Sequence, residues 1–328
     1  MSEMADGVRH PAQAWACTRL TSVVAAGPPV PRRRSQESRS LALGAFAIVA
    51  LIAVAARAEP FDRGLLWRLD RPGVGPSYVF GTLHSADPRV TALAPAVARA
   101  FAACRTFAME TYLSDADEVH FFDATQFEDG RRLKPLLGVD AYARLRRLLG
   151  DQAPADEVLE RTKPWAALLR IAAPRSAGDG PTLDRELLAQ AQARHMSIVG
   201  LELPDEQVAA LDSIPLDTQL ALLRYAIERQ DALEAELEPT IRAWLDRDLA
   251  ALARINVASM AGDPALERHQ AVLTRHIIED RSAVMVHRLF LPLRAGRVFV
   301  AVGALHLHGP KGVLAQLQRQ GYQLHRVY

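Results

Sequence analysis

The chain has 328 residues, 49% of them hydrophobic and 23% charged, with a formal net charge of +1. That balance belongs to ordinary globular proteins and excludes both a low-complexity chain and the basic excess of a nucleic-acid binder. With only Cys17 and Cys104, a disulfide-stapled scaffold is excluded as well.

In chain order the first element is an export signal. Arg32, Arg33, Arg34 and Arg39 precede the uncharged apolar run 41–56, which closes on Ala-Arg-Ala before Glu59. A charged n-region, an apolar h-region and a small-x-small site predict secretion, with cleavage near Ala58. The run falls short of the ~20 residues of a comfortable membrane span, which favours cleavage over an anchor, and membrane attachment is expected only if the leader is retained. Residues 1–31 carry no fold signal, so a functional extension and a start placed too far upstream both remain open. The expected division is a leader over 1–58 and a single domain over 59–328, exported to the periplasm. Loss of Cys17 with the leader leaves Cys104, whose small apolar neighbours in VARAFAACRTF mark a packed core thiol.

From Glu59 onward, short β-type runs alternate with longer helical ones. LLWRLD and SYVFGTLH form a hairpin around the turn residues RPGVGP. PAVARAFAAC reads as a helix and TFAME as a buried strand ending on Glu110. The stretch of about 114–195 is a mainly helical insertion, with leucines at three and four spacing and a closing glycine in DAYARLRRLLG. SIVGLE is a strand ending on Glu202, helices fill most of 205–290, and RVFVAVGALH is the clearest strand of all. A helix, a glycine stop and a terminal strand follow. Strands separated by helices predict an α/β sheet with parallel connections, and ligands of such sheets sit beyond the carboxyl ends of the strands. His84, Glu110, Glu202 and His306 each fall at such an end.

Two of these ends share a motif, GTLH at 81–84 and GALH at 303–306. With 19 Gly and 10 His in the chain, chance alone supplies roughly 0.6 copies of G-x-x-H, and a third copy ends at His10 in the leader. What chance explains badly is the shared context: an apolar strand, Gly81 or Gly303, a small residue, Leu, His, a Pro-containing loop, a helix and another strand. The two read as pseudo-repeated β-α-β halves that place their histidines at one edge of a central sheet flanked by helices. Each glycine admits a close approach to the backbone or a bulge. Two imidazoles with one or two carboxylates suit a divalent ion such as Mn, Co, Fe or Zn, which points to hydrolysis. His308 has the wrong parity to share the direction of His306 if the strand continues. His269 and His276, seven apart on a helix, read as a solvated or inter-helix face. No H-E-x-x-H, C-x-x-C, P-loop, G-x-S-x-G or G-x-G-x-x-G motif is present, which disfavours the commoner metalloprotease, nucleotide and serine-hydrolase chemistries.

These residues resemble the TraB/PrgY/GumN family, related to the Tiki metalloproteases and more distantly to erythromycin esterase-like and ChaN-like proteins. The resemblance runs from about Leu66 to Tyr328 through LWRLDRPGVGPSYVFGTLH, FAMET, KPWAALL, TLDRELLAQAQARHMSIVGLE, EDRSAVMVHRL and RVFVAVGALHLHGPKG. It implies a two-half α/β fold around a cleft that bears both motifs. His84 and His306 match the motif histidines, Gly81 and Gly303 the motif glycines, Glu110 the acidic strand residue and Glu202 the Glu of the family's GLE segment. Arg281 matches the Arg of the family's Arg-Asn pair, whereas Ser282 stands in place of Asn. Read by itself, Arg281 equally forms a helix-surface ion pair with Glu279 or Asp280. Gln207 in LPDEQ reads as a first-turn helix residue.

The expected function is an exported metal-dependent hydrolase acting on a peptide or on a small amide or ester. His84, His306 and Glu110 would hold the ion, Glu202 or Glu110 would take a proton from the attacking water, and Arg281 would stabilise an oxyanion or anchor a carboxylate. The alternative is a noncatalytic peptide-binding or regulatory envelope protein with the same fold. Oligomeric state and metal identity are left open by the sequence.

Overall fold

The structure is a computed structural model that describes residues 61–112, 115–172, 180–258 and 260–328. The expected leader at 1–58, with Cys17, lies outside the described residues. Among the described residues no helix is long and apolar enough to cross a membrane.

Six strands form one sheet in the order β4-β3-β5-β2-β1-β6. They are β1 (Leu66–Arg71), β2 (Val74–Thr82), β3 (Thr106–Thr111), β4 (Ser197–Glu202), β5 (Val298–Gly303) and β6 (Gln323–Arg326). β1 and β2 make the expected hairpin, closing Arg71 against Val74. β2, β5, β3 and β4 run parallel to one another, while β6 pairs antiparallel with β1. β5 sits in the middle and every one of its residues is buried, which is why VFVAV is a continuous apolar run with no alternation. Since four neighbouring strands point the same way, their carboxyl ends share one edge. The two motif strands are immediate neighbours, in register Gly81 to Val302 and Thr82 to Gly303.

Two apolar cores form. The first surrounds the sheet and takes Phe80, Phe107 and Phe299 from the strands, Leu183 and Leu187 from one helix, and Met285 and Leu289 from another. The second lies wholly among helices and joins Leu145, Leu159 and Trp165 to Leu223, Leu273 and Ile277. The helical part is thus discontinuous in sequence: residues of the expected 114–195 insertion pack against helices beyond residue 204, and the Leu183–Ala193 helix belongs to the sheet layer. Cys104 is a buried free thiol in the sheet core, and burial pushes its pKa up to about 12, so it is inert as a nucleophile at neutral pH.

Candidate functional site

The motif histidines lie just past their strands rather than on them. β2 ends at Thr82, so His84 occupies the following loop; β5 ends at Gly303, and His306 sits in a short 3₁₀ turn, Ala304–Leu307. The strand-parity argument for His308 therefore lapses, and His308 turns instead toward Asp62, with Nε2 3.2 Å from Oδ1. Glu110 and Glu202 are on β3 and β4, near the ends of these strands.

Gly81 is what lets the two motifs pack together. A Cβ there would lie 2.8 Å from Leu307 Cδ1 and 3.1 Å from Ala304 Cα, so the turn that carries His306 rests on the bare backbone of the other motif. Gly81→Ala must push that turn away, and we expect it to cost about 1–3 kcal/mol in a urea-denaturation measurement.

Arg281 brings both glutamates together. Its Nε lies 2.9 Å from Glu202 Oε1 and 3.0 Å from Oε2, and its Nη2 lies 2.9 Å from Glu110 Oε2. A looser π-helical turn, Arg275–Asp280, precedes it, and π turns commonly re-aim side chains at functional sites. Arg281 and Ser282 are both buried, and Arg281 turns to the two glutamates of the sheet edge, while Glu279 pairs with Lys311. Burial pushes the Glu202 carboxyl above its ordinary range against the pull of Arg281. For Glu110 burial acts the same way, but His306, Arg281 and the Gly303 N–H, 2.7 Å from Oε1, outweigh it and hold the carboxyl below its ordinary range.

His306 is held through Nδ1. Ser282 Oγ donates to the Ile278 carbonyl at 2.6 Å and lies 2.9 Å from Nδ1. With its single proton spent, that hydroxyl can only accept, and the Ile278 carbonyl, which also bonds the ring, can only accept too. The network therefore assigns the ring proton to Nδ1. Nε2 is left bare and faces Glu110 Oε1 at 3.8 Å, two acceptors across a gap with no proton to share. Ser282 thus positions the His306 ring.

Burial lowers the His306 pKa from 6.5 to about 4 despite Glu110. Between those values the unfolded chain binds a proton that the folded chain refuses, so acidification removes stability, by about 3 kcal/mol over the whole window. His84 acts in the opposite sense: burial would lower its pKa, but Asp184 and Glu110 prevail and raise it. Its contribution is therefore present below 6.5 and fades as pH rises through the folded value. In metal-free protein we expect His306→Asn to reduce the acid-side loss by up to the His306 share, read as the difference in urea stability between pH 6.5 and pH 4, while the loss from carboxylates such as Glu110 remains.

Sequence reasoning missed Asp184 and Thr82. His84 Nδ1 lies 2.9 Å from Asp184 Oδ2, an ion-pair contact rather than a well-aligned hydrogen bond, and Thr82 Oγ1 donates to Asp184 Oδ1 at 2.6 Å. In sequence Asp184 is an acidic residue in the first turn of a helix, a place that electrostatics favours by itself, so no local signal set it apart. Elsewhere, His269 and His276 bond Thr218 and Ser213 of a neighbouring segment, as an inter-helix face requires. Gln207 falls in the opening turn of the Pro204–Asp212 helix, behind Asp205 and Glu206, and is buried there.

The model of the TraB/PrgY/gumN family matches residues 65–326, a span that contains every strand and all the side chains of this edge. The chain belongs to the TraB/PrgY/gumN family. No curated protein and no solved structure gives a significant match. In this family member the edge offers two imidazoles with Nδ1 engaged, one half-open carboxylate, and a second carboxylate locked to Arg281. Among the described residues no three His, Cys, Asp or Glu side chains are already gathered closely enough to enclose an ion. The chemistry of the donors nonetheless fits a divalent metal: bare or available Nε2 atoms, each braced from behind, beside a carboxylate.

Proposed function

We propose that this chain is an exported metal-dependent hydrolase of peptide, or of small amide or ester, bonds, with His84, His306 and Glu110 as the donors to the ion. The observation that carries the reading is the approach of His306 Nε2 to Glu110 Oε1 at 3.8 Å with Nδ1 engaged by Ser282: an acceptor nitrogen beside a carboxylate favours a cation or a donor between them. A divalent ion bound there would supply Lewis acidity and acidify a water. Glu110, 16% exposed, is the carboxylate placed to take the proton of the attacking water, whereas Glu202 is 2% exposed and holds Arg281. Arg281, 3% exposed, spends its N–H groups on the two carboxyl groups and on the Ile277 carbonyl; in this reading it orients Glu110 instead of meeting an oxyanion. Export rests on the apolar run 41–56 and its flanking arginines.

The hold of Arg281 on both carboxyl groups favours a second reading, capture of a peptide without turnover, because a carboxylate so paired is a weak base. Elemental analysis and calorimetric titration of the purified chain with Mn²⁺, Co²⁺ and Zn²⁺, followed by a peptide-library cleavage screen, separate the two. The hydrolase reading expects one ion per chain and metal-stimulated cleavage, both lost in His84→Ala/His306→Ala. Absence of metal uptake, with peptide binding and cleavage unchanged in the double variant, would sink it.

A further inference from the structure

The contacts of His84 reach outside its motif, and they set which of its nitrogens does the work. Thr82 Oγ1 and His84 Nδ1, two residues apart on the chain, both converge on the carboxyl group of Asp184, which lies 102 positions beyond Thr82. A third contact closes the clasp: the Leu183 N–H donates to the Ser85 carbonyl at 3.2 Å, pinning the start of the Leu183–Ala193 helix to the loop that carries His84. The Asp184 side chain is 13% exposed, and each of its oxygens has one assigned contact, so it is poorly placed to become a ligand itself. A carboxylate accepts and never donates when ionised, which places the ring proton of neutral His84 on Nδ1.

We infer that Asp184 is a positioning residue for His84, fixing ring and tautomer so that Nε2 is the nitrogen presented to the edge shared with Glu110 and His306. The purpose of this arrangement rests on the metal-site reading above, although its geometry stands without it. Ser282 performs the corresponding task for His306, and the two braces differ in kind. A carboxylate behind an imidazole raises its basicity as a ligand more than a hydroxyl does, so the two motif histidines are unequal: His84 is the stronger donor and His306 the weaker.

Isotope-labelled histidine in the full chain and long-range proton–nitrogen correlation spectra, followed upward in pH until the His84 ring nitrogens stop titrating and the ring is neutral, test this without any metal. His84 is assigned by its disappearance in His84→Gln. The wild-type protein is expected to show His84 protonated on Nδ1, Asp184→Ala to shift it toward the Nε2–H form of a free imidazole, and Asp184→Asn to keep the wild-type pattern, since the amide oxygen still accepts. Zinc titration by calorimetry should then weaken roughly 10–100-fold in Asp184→Ala and much less in Asp184→Asn. A wild-type tautomer in Asp184→Ala overturns the inference. A shifted tautomer in a protein whose wild type takes up no zinc overturns the metal reading and leaves the positioning role standing. Should Asp184→Ala fail to fold, Asp184→Asn decides: a wild-type pattern supports the role, and an Nε2–H pattern defeats it.

Discussion

Arg281→Met is expected to lower the free energy of unfolding by about 3–5 kcal/mol, the cost of removing one partner from a buried ion pair. Methionine replaces much of the apolar volume of the side chain but none of its charge. Glu202, 2% exposed, would be left buried with its chief donor gone, and Glu110 would lose the contact to its Oε2. Because the penalty comes from the stranded carboxyl and not from lost attraction alone, Arg281→Met/Glu202→Gln should recover a substantial part of it, and the non-additivity measures the coupling. Arg281→Lys should not substitute well, since one ammonium cannot reproduce a fork that serves two carboxyl groups. Guanidinium denaturation of wild type, Arg281→Met, Glu202→Gln, the double variant and Arg281→Lys checks this. A single Met variant within about 1 kcal/mol of wild type, the scale of an exposed pair, would show that Arg281 is not the organising charge of the edge.

What the sequence disclosed and what it withheld differ by the range of the interaction. The hairpin at RPGVGP, the buried β5 and the helix-to-strand ending of the chain were legible, because turn residues and apolar runs are local signals. From the parallel connections it also followed that His84, Glu110, Glu202 and His306 meet at one edge, an inference about topology that needed no side-chain detail. The placement of the histidines beyond their strands was not legible, since a 3₁₀ turn over Ala304–Leu307 and a continued strand read alike in four residues. Arg281 was open between a neighbour on its own helix and the site, because its partners lie 79 and 171 positions away. Asp184 was invisible for the same reason. The second apolar core was not legible either, because periodicity gives the buried face of a helix but not the helix that covers it.

Glu110→Gln is expected to reduce metal-stimulated hydrolysis by about 10²–10⁴-fold while lowering stability less than Glu202→Gln does, since one of its two donors keeps an oxygen partner. The amide keeps the shape of the carboxyl and an oxygen for either the Gly303 N–H or Arg281, and Arg281 retains its bonds to Glu202. What it removes is the negative charge opposite His306 Nε2 and the more exposed carboxylate of the pair. Glu202→Gln should behave in the reverse manner, with stability falling because Arg281 loses its closest partner and turnover falling far less. The comparison separates chemistry from architecture through two measurements on each variant: kcat with KM on a cleaved library peptide, and urea stability without metal. A residue that acts on the reacting water lowers kcat far more than its effect on stability accounts for, whereas one that chiefly anchors Arg281 changes stability first. If the two variants lose turnover equally, the division of labour between Glu110 and Glu202 is wrong, and the buried carboxyl takes part in the chemistry despite its lack of exposure.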